Sequence, residues 1–211
     1  STHFLDHVKT KKIINNPTSI RNVSEKFYST KFLKYMPETI FTKNIKQINS
    51  FLRKHKKIVV KPIHGYAGKN IIFINKTLNQ GILKKYIKKF DHVMVQKYLN
   101  KVQEGDKRVF IINGKVKGAI RRLPRKGSIL SNISQGGIAL KTKLNSKELK
   151  ISKIVATSLK KSGIFFAGID LVGGYLIGDI NVTSPTGLPQ YKNLTGKNLA
   201  IDFWNELEKL K

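Results

Sequence analysis

The sequence predicts an α+β fold, or a mixed α/β one, and three observations point there. Stretches with helical spacing of apolar residues (44–55, 80–90, 146–163 and 197–211) are interleaved with short β-branched or apolar runs at 57–63, 71–74, 92–99 and 107–123. Asn113-Gly114 stands between two such runs, the commonest two-residue hairpin signal. Gly173-Gly174 sits in the same way inside "FFAGIDLVGGYLIGDINVTSPTG", residues 165–187.

In chain order, "PTSIRNVSEKFYSTKFL" (17–33) reads as a helical region with Asn22 or Ser24 as cap and Phe27, Phe32 and Leu33 as its apolar stripe. A short strand is expected at 37–42. In the helix at 44–55, Ile45, Ile48, Phe51 and Leu52 fall at helical spacing. Strand 57–63 then runs through the glycine-bearing turn "HGYAGKN" into strand 71–74. This is strand, loop, strand, and no Gly-Lys-Ser/Thr ending or following helix makes it a Walker loop. An amphipathic helix (80–90), a strand (92–99) and the hairpin at 107–123 follow. Residues 124–137 carry little periodicity and read as a mobile loop. The helix at 146–163 stops at Gly163. The last helix, 197–211, is expected to bury Leu199, Phe203, Trp204, Leu207 and Leu210.

Composition excludes several classes. The 211 residues contain no cysteine, so disulfides and thiolate metal sites are ruled out, and a reducing cytoplasm is the default location. No apolar run reaches the roughly 20 residues of a membrane helix. The net charge of +29 invites a nucleic-acid reading. Yet 35 of the 41 cations are Lys, and only Arg21, Arg53, Arg108, Arg121, Arg122 and Arg125 could clamp phosphates bidentately. Lys, Ile and Asn are enriched together, as A/T-rich codons would give. Compositional drift therefore explains the charge better than a nucleic-acid partner does.

Against that background the acids stand out. There are 12 Asp and Glu, and two of them, Asp170 and Asp179, lie within apolar runs. With Gly173-Gly174 as the turn, Val172 should pair with Tyr175 and Asp170 with Ile177. Alternation then puts Asp170, Asp179 and Asn181 on one face and Ile169, Leu171, Leu176, Ile180 and Val182 on the other. The two carboxylates become diagonal neighbours, roughly 7–8 Å apart at the backbone. Two carboxylates and an amide oxygen are hard ligands of the kind Mg²⁺ takes. The competing reading is that each Asp caps a turn or pairs with one of the many Lys.

Lys61 ends its strand just before Gly65 and Gly68, where a Lys reaches phosphate oxygens while loop N–H groups cover them. Arg108 follows Asp106, as an anion clamp or a simple ion pair. "AIRRLPRKGSILSN" sets three Arg beside a glycine-bearing loop able to close over an anion. The five His show no H-E-x-x-H spacing, and no G-x-S-x-G elbow occurs. Metal-assisted nucleotide chemistry fits the residues present better than covalent catalysis does.

Taken together, the chain resembles the ATP-grasp superfamily and, within it, the prokaryotic glutathione synthetases. The resemblance rests on "NNPTSIRNVSEK", "VVKPIHGYAG", "VQKYL", "EGDKRVFIINGK", "RLPRKGSILSNISQGG", "GIFFAGIDLVGG" and "DINVTSPTG", in the family's order. It implies an ATP-grasp fold of two α+β subdomains with the nucleotide cleft between them, and an ATP-dependent ligase. By resemblance, γ-glutamylcysteine and glycine are joined into glutathione through an acyl phosphate, with ATP and Mg²⁺ (Mn²⁺ as the alternative) as cofactors. Lys26 and Lys61 would contact phosphates, the loop bearing Gly65 and Gly68 would cover them, and Gln96, Lys97, Tyr98 and Leu99 would line the adenine cleft. Asp106 is placed in the nucleotide site. Asp170, Asp179 and Asn181 would hold the metal, and Arg108 and Arg122 would stabilise the transferring phosphoryl group. Asn132, Ser184 and Thr186 would border the substrates, under a lid at 123–138.

The chain departs from the family pattern at several points. Position 179 is usually Glu, the 170–179 hairpin is one residue longer, Ala67 replaces Gly and Leu130 replaces Arg. The implied domains are a remnant at 1–23, a small subdomain at about 24–100 and a large one at about 101–211, with the N-terminal domain largely absent. A homo-oligomer is expected from the family. The rivals are a ligase adding amino acids to a protein tail and a non-catalytic basic binder of nucleic acid.

Overall fold

A computed structural model describes residues 2–9, 13–65, 68–125 and 136–210. Among these, two antiparallel sheets form. The first takes the order β1-β4-β2-β3, from β1 (Thr39–Thr42), β2 (Lys57–Pro62), β3 (Ile72–Asn75) and β4 (Val93–Lys97). Helices α3 (Ile45–His55) and α4 (Gln80–Phe90) bury Ile48, Phe51, Leu52, Leu83 and Tyr86 against Ile58, Val60, Ile74, Val93 and Val95. The first sheet is thus the expected strand, loop, strand unit with its two amphipathic helices.

The second sheet takes the order β7-β6-β5-β8-β9, from β5 (Asp106–Ile112), β6 (Lys115–Leu123), β7 (Ile138–Lys141), β8 (Phe166–Val172) and β9 (Tyr175–Asn181). Strand β7 had no sequence signal. Period-two alternation sends Val109 and Ile111 of β5 to the core that α5 (Ser146–Lys161) covers with Ile151, Val155 and Leu159. Phe110 and Ile112 face the opposite core, with Leu199 buried and Tyr191, Phe203 and Leu207 against it. These come from α6 (Leu188–Thr195), which the sequence did not announce, and α7 (Leu199–Glu208). Trp204 is exposed rather than buried, because α7 presents only one face to the sheet. No helix among the described residues is long and apolar enough to cross a membrane.

The expected helix at 17–33 is instead two short pieces after the small N-terminal α1 (Thr2–Leu5): α2 (Pro17–Asn22), then a 3-10 segment at Phe27–Tyr35. Its cap is Asn16, which accepts from Ser19 N–H, and not Asn22 or Ser24. The break turns Phe27 and Leu33 outward and leaves Tyr28 and Phe32 buried. Asparagine caps recur at Asn44, Asn79, Asn145 and Asn198, and Asn145 forms a full capping box with Glu148. Asn residues that read as composition thus terminate helices.

The β8–β9 hairpin turns at Gly173-Gly174, both at positive φ, and pairs Val172 with Tyr175 as expected. Beyond that the register departs from expectation. Leu171 pairs with Leu176, but Ile169 pairs with Ile180. Asp170 alone therefore faces the stretch Ile177–Asp179, and no Asp170–Ile177 pair forms. A bulge that adds two residues preserves the parity of faces, so Ile180 stays in the core and Asp179 stays on the side of Asp170. It also moves Asp179 from a diagonal position to one opposite Asp170.

Gly178 forms the bulge at φ 85°, in the left-handed region that favours glycine. A Cβ there would lie 2.4 Å from Met94 Cε of β4 and 3.0 Å from Met36 Cε, so the two sheets meet on a bare backbone. Gly178→Ala should lower stability by about 1–3 kcal/mol through this clash and the φ strain. The urea midpoint checks it, and a wild-type midpoint would refute the close approach.

Candidate functional site

Strand order decides which charges meet. On β5, Asp106 and Arg108 are two residues apart and point to the same face. Asp106 lies directly across from Arg122 on β6, and Arg108 directly across from Asp170 on β8. Arg108 accordingly donates Nε to Asp170 Oδ1 at 2.5 Å and Nη2 to Oδ2 at 2.9 Å. Arg122 forks onto Asp106 at 2.8 and 2.5 Å, and its Nη2 also lies 2.9 Å from Asp170 Oδ2. The expected choice for Arg108 was an anion clamp or an ion pair with Asp106. Its partner is Asp170 instead.

All four side chains are buried, so the pairing is what makes their charges tolerable. Burial pushes the Asp170 carboxyl up, but the guanidiniums of Arg108 and Arg122 outweigh it and hold the group below the ordinary carboxylate range. Burial also works against the Arg122 guanidinium, and Asp170 and Asp106 reverse that and raise it.

The second cluster joins the sheets. Lys61, at the end of β2, donates to the Ile177 carbonyl at 2.9 Å and to Asp179 Oδ2 at 3.2 Å. Ile177 lies in the bulge, where the β8–β9 ladder records no pair, so its carbonyl meets the ammonium instead. Lys26 lies 3.4 Å from Asp179 Oδ1 and donates to the Gly65 carbonyl at 3.0 Å. Burial raises the Asp179 carboxyl, but Lys61 and Lys26 overcome this and bring it down to about 2. Glu25, beside Lys26 and facing the same cleft, goes the other way. Its desolvation outweighs the attraction of Lys26, and its carboxyl is raised.

Between the sheets lies a cavity of about 820 Å³, lined by Lys61, Gly65, Gly68, Gln96, Lys97, Tyr98, Leu99, Asp106, Arg108, Asp170, Asp179, Asn181, Ser184 and Thr186. That volume is ample for a nucleotide-sized ligand, since such pockets run from roughly 300 to 1,000 Å³. Of the other residues singled out in the sequence, Lys26 reaches the site through Asp179 and Gly65. Arg122 is 1% exposed and sits behind Asp106 and Asp170 rather than on the wall. Asn132, Ala67, Leu130 and most of the 123–138 lid lie outside the described residues. Sequence reasoning missed the apolar walls Ile63, Ile71, Val102 and Val172, and also Glu25. Glu25 had one readable signal, its place next to Lys26 in "SEK".

The donor set suits a hard cation in kind. An ionised carboxylate offers about four lone-pair sites, and Asp170 spends three on guanidinium N–H groups. Asp179 is freer, since its lysine contacts are long and its side chain is 19% exposed to the cleft. Asn181 Oδ1 accepts from Ser184 N–H at 3.0 Å and keeps a second lone pair. Among the described residues no group of three His, Cys, Asp or Glu gathers at metal range, so the candidate set is two acids and this amide.

Residues 25–196 match the family described as the prokaryotic glutathione synthetase, ATP-grasp domain. The chain is 35% identical to the glutathione synthetase of Bradyrhizobium diazoefficiens, over 99% of this chain and 68% of that protein.

The chain belongs to the prokaryotic glutathione synthetase family.

Its match to the Nostoc glutathione synthetase is 36%, over 99% of this chain and 66% of that one. For the Buchnera aphidicola enzyme the figures are 37%, 93% and 62%. The chain thus spans about two thirds of the length of these family members. Among solved structures, D-cycloserine synthetase superposes with a TM-score of 0.75 at 17% identity, covering 100% of this chain and 77% of that one. D-alanine–D-alanine ligase from Bacillus anthracis, complexed with ATP, gives 0.60 at 18%, covering 92% and 69%. At these identities the likeness is one of fold, and it confirms the ATP-grasp architecture.

The Asp179 cluster carries a pH signature. Asp179 titrates near 3.8 when free and near 2 when folded, so the unfolded chain binds its proton first as pH falls. The stability it contributes is whole above about pH 4 and is lost from there toward pH 2, on the order of 2 kcal/mol. Asp170 adds to the loss with the same sign. Urea unfolding at pH 5, 3 and 2 should show the decline, and Asp179→Asn should lessen it, leaving the part that Asp170 and Glu206 contribute.

Proposed function

We propose that this chain joins γ-glutamylcysteine to glycine at the expense of ATP. An ATP-dependent ligase is what family membership makes it. The finer reading rests on one observation: two lysines, two arginine–carboxylate pairs and a glycine-bearing loop converge on a single cleft between the sheets.

In this reading the phosphates of ATP take over the place that Asp179 now fills for Lys26 and Lys61. Backbone groups around Gly65 and Gly68 cover them, and Lys26 fixes that loop by its bond to the Gly65 carbonyl. The adenine lies along Gln96–Leu99, where Gln96 is held by its bond to Thr39 Oγ1. Asp170, Asp179 and Asn181 would hold Mg²⁺, which neutralises charge on the phosphates when bound. Mn²⁺ would serve the same ligands.

The dipeptide carboxylate attacks the γ-phosphorus and ADP departs. The amine of glycine then attacks the acyl phosphate, phosphate leaves and the amine gives up a proton. Arg108 faces the cavity, and its Nη1 is a buried donor with no protein partner among the described residues. It suits the negative charge spread over the transferring phosphoryl group. Arg122 acts one layer back, holding Asp106 and Asp170 in place. Ser184 and Thr186 border the substrates. The same reading places the reaction in the cytoplasm, in a homo-oligomer.

Calorimetric titration of Mg-ATP should show binding that depends on Mg²⁺. ADP release should require both γ-glutamylcysteine and glycine, and not glutamate with an acidic peptide. A folded chain that ignores Mg-ATP but binds nucleic acid with a steep salt dependence would overturn the reading. Asp179→Asn should cost more in Mg²⁺-dependent turnover than the roughly 10–100-fold typical of losing an outer partner of a ligand.

A further inference from the structure

The last β8–β9 pair is Gly168 with Asn181. Beyond it the strands part, and Thr183, Ser184 and Thr186 turn into the cavity wall. The open end is not left unbonded. Asn15, 9% exposed, inserts its amide there. Its Oδ1 accepts from Phe165 N–H and Phe166 N–H, both at 2.8 Å. Its Nδ2 donates to the carbonyls of Phe166 and Val182, both at 2.7 Å. Two donors and two acceptor sites are the whole capacity of an amide, so the side chain is fully used. It stands in for the missing rungs of the β8–β9 ladder from a segment 150 to 167 residues earlier in the chain.

The residue is itself anchored. Asn16 caps α2, and Ile20 and Val23 pack into the core behind the second sheet. Ser19 Oγ lies where a Cβ on Gly163 would come within 2.4 Å, so α2 rests on the turn that feeds β8.

We propose that Asn15 is a positioning residue, which fixes the divergence of β8 and β9 and thereby aims Asn181 and the 183–186 loop into the cleft. Asn15 does not line the cavity and acts through Val182, the neighbour of Asn181. The Asn181 amide in turn closes on Ser184 through both its oxygen and its nitrogen. A glutamine would overreach, and alanine would take this partner from four backbone groups. The ligand-binding part of this claim rests on the ligase reading, and the backbone part does not.

Hydrogen exchange followed residue by residue tests the backbone part. In Asn15→Ala, the amides of Phe165, Phe166 and Ser184 should exchange at least about ten-fold faster, while Val60 and Val95 in the first sheet keep their protection. Asn15→Asp retains the acceptors, so Phe165 and Phe166 should stay protected while Ser184 loosens. This variant decides the matter should the alanine variant fail to fold. Nucleotide titration tests the functional part. The gain in ATP affinity given by Mg²⁺ should shrink about ten-fold, the size expected for a supporting partner, and Mg²⁺-free ATP affinity should hold. Uniform loss of protection, or an unchanged Mg²⁺ effect with loosened Ser184, would overturn the positioning role. A wild-type chain without Mg²⁺-dependent binding would sink the ligase reading, and the exchange data would still judge Asn15.

Discussion

Two sheets that share few strand contacts must still enclose a site, and here a carboxylate does much of the joining. Asp179 stands on the second sheet and is gripped by Lys61 from the first and by Lys26 from the segment before it. Buried lysines cost heavily unless paired, so Lys61 depends on this acid, Lys26 on it together with Glu25, and the acid on both. In a chain of 41 cations and 12 acids, the partly buried Asp179 decides where Lys26 and Lys61 can be brought inward.

The bulge of β9 makes this geometry available. A regular hairpin would pair Asp170 with Ile177 and leave Asp179 on the diagonal. The two extra residues bring Asp179 opposite Asp170 without changing its face, and they present the Ile177 carbonyl to Lys61. They also thin the strand at Gly178, so that Met94 can come close. The bulge carries the Asp179 carboxylate toward Lys61 and Lys26.

The arginines show a division between contact and support. Arg108 and Arg122 looked equivalent in the sequence, both basic and both on strands of one hairpin. Arg108 lies on a central strand next to β8 and reaches the cavity. Arg122 is the more deeply buried and is spent on Asp106 and Asp170. Charges in such a buried network are tolerable only when paired, which ties the acid on β8 to strands on its far side.

The sequence by itself determined what local periodicity can carry. It set the helices at 44–55, 80–90 and 146–163, the Asn113-Gly114 hairpin, and the shared face of Asp170, Asp179 and Asn181, because side-chain parity along a strand survives any even shift of register. It also carried the motif order that marks the family. Tertiary structure alone decided the partners: Arg108 with Asp170, Arg122 with Asp106, Lys61 with Asp179, and Asn15 with Phe165, Phe166 and Val182. The Arg122–Asp106 pair is set by the bulge in the β5–β6 hairpin, and the others join residues that only strand order and sheet docking bring together. Neither is written in the spacing of one segment. The exposure of Trp204 and the break after Asn22 belong to the same class, since which side of a helix is covered depends on the neighbour that the fold supplies.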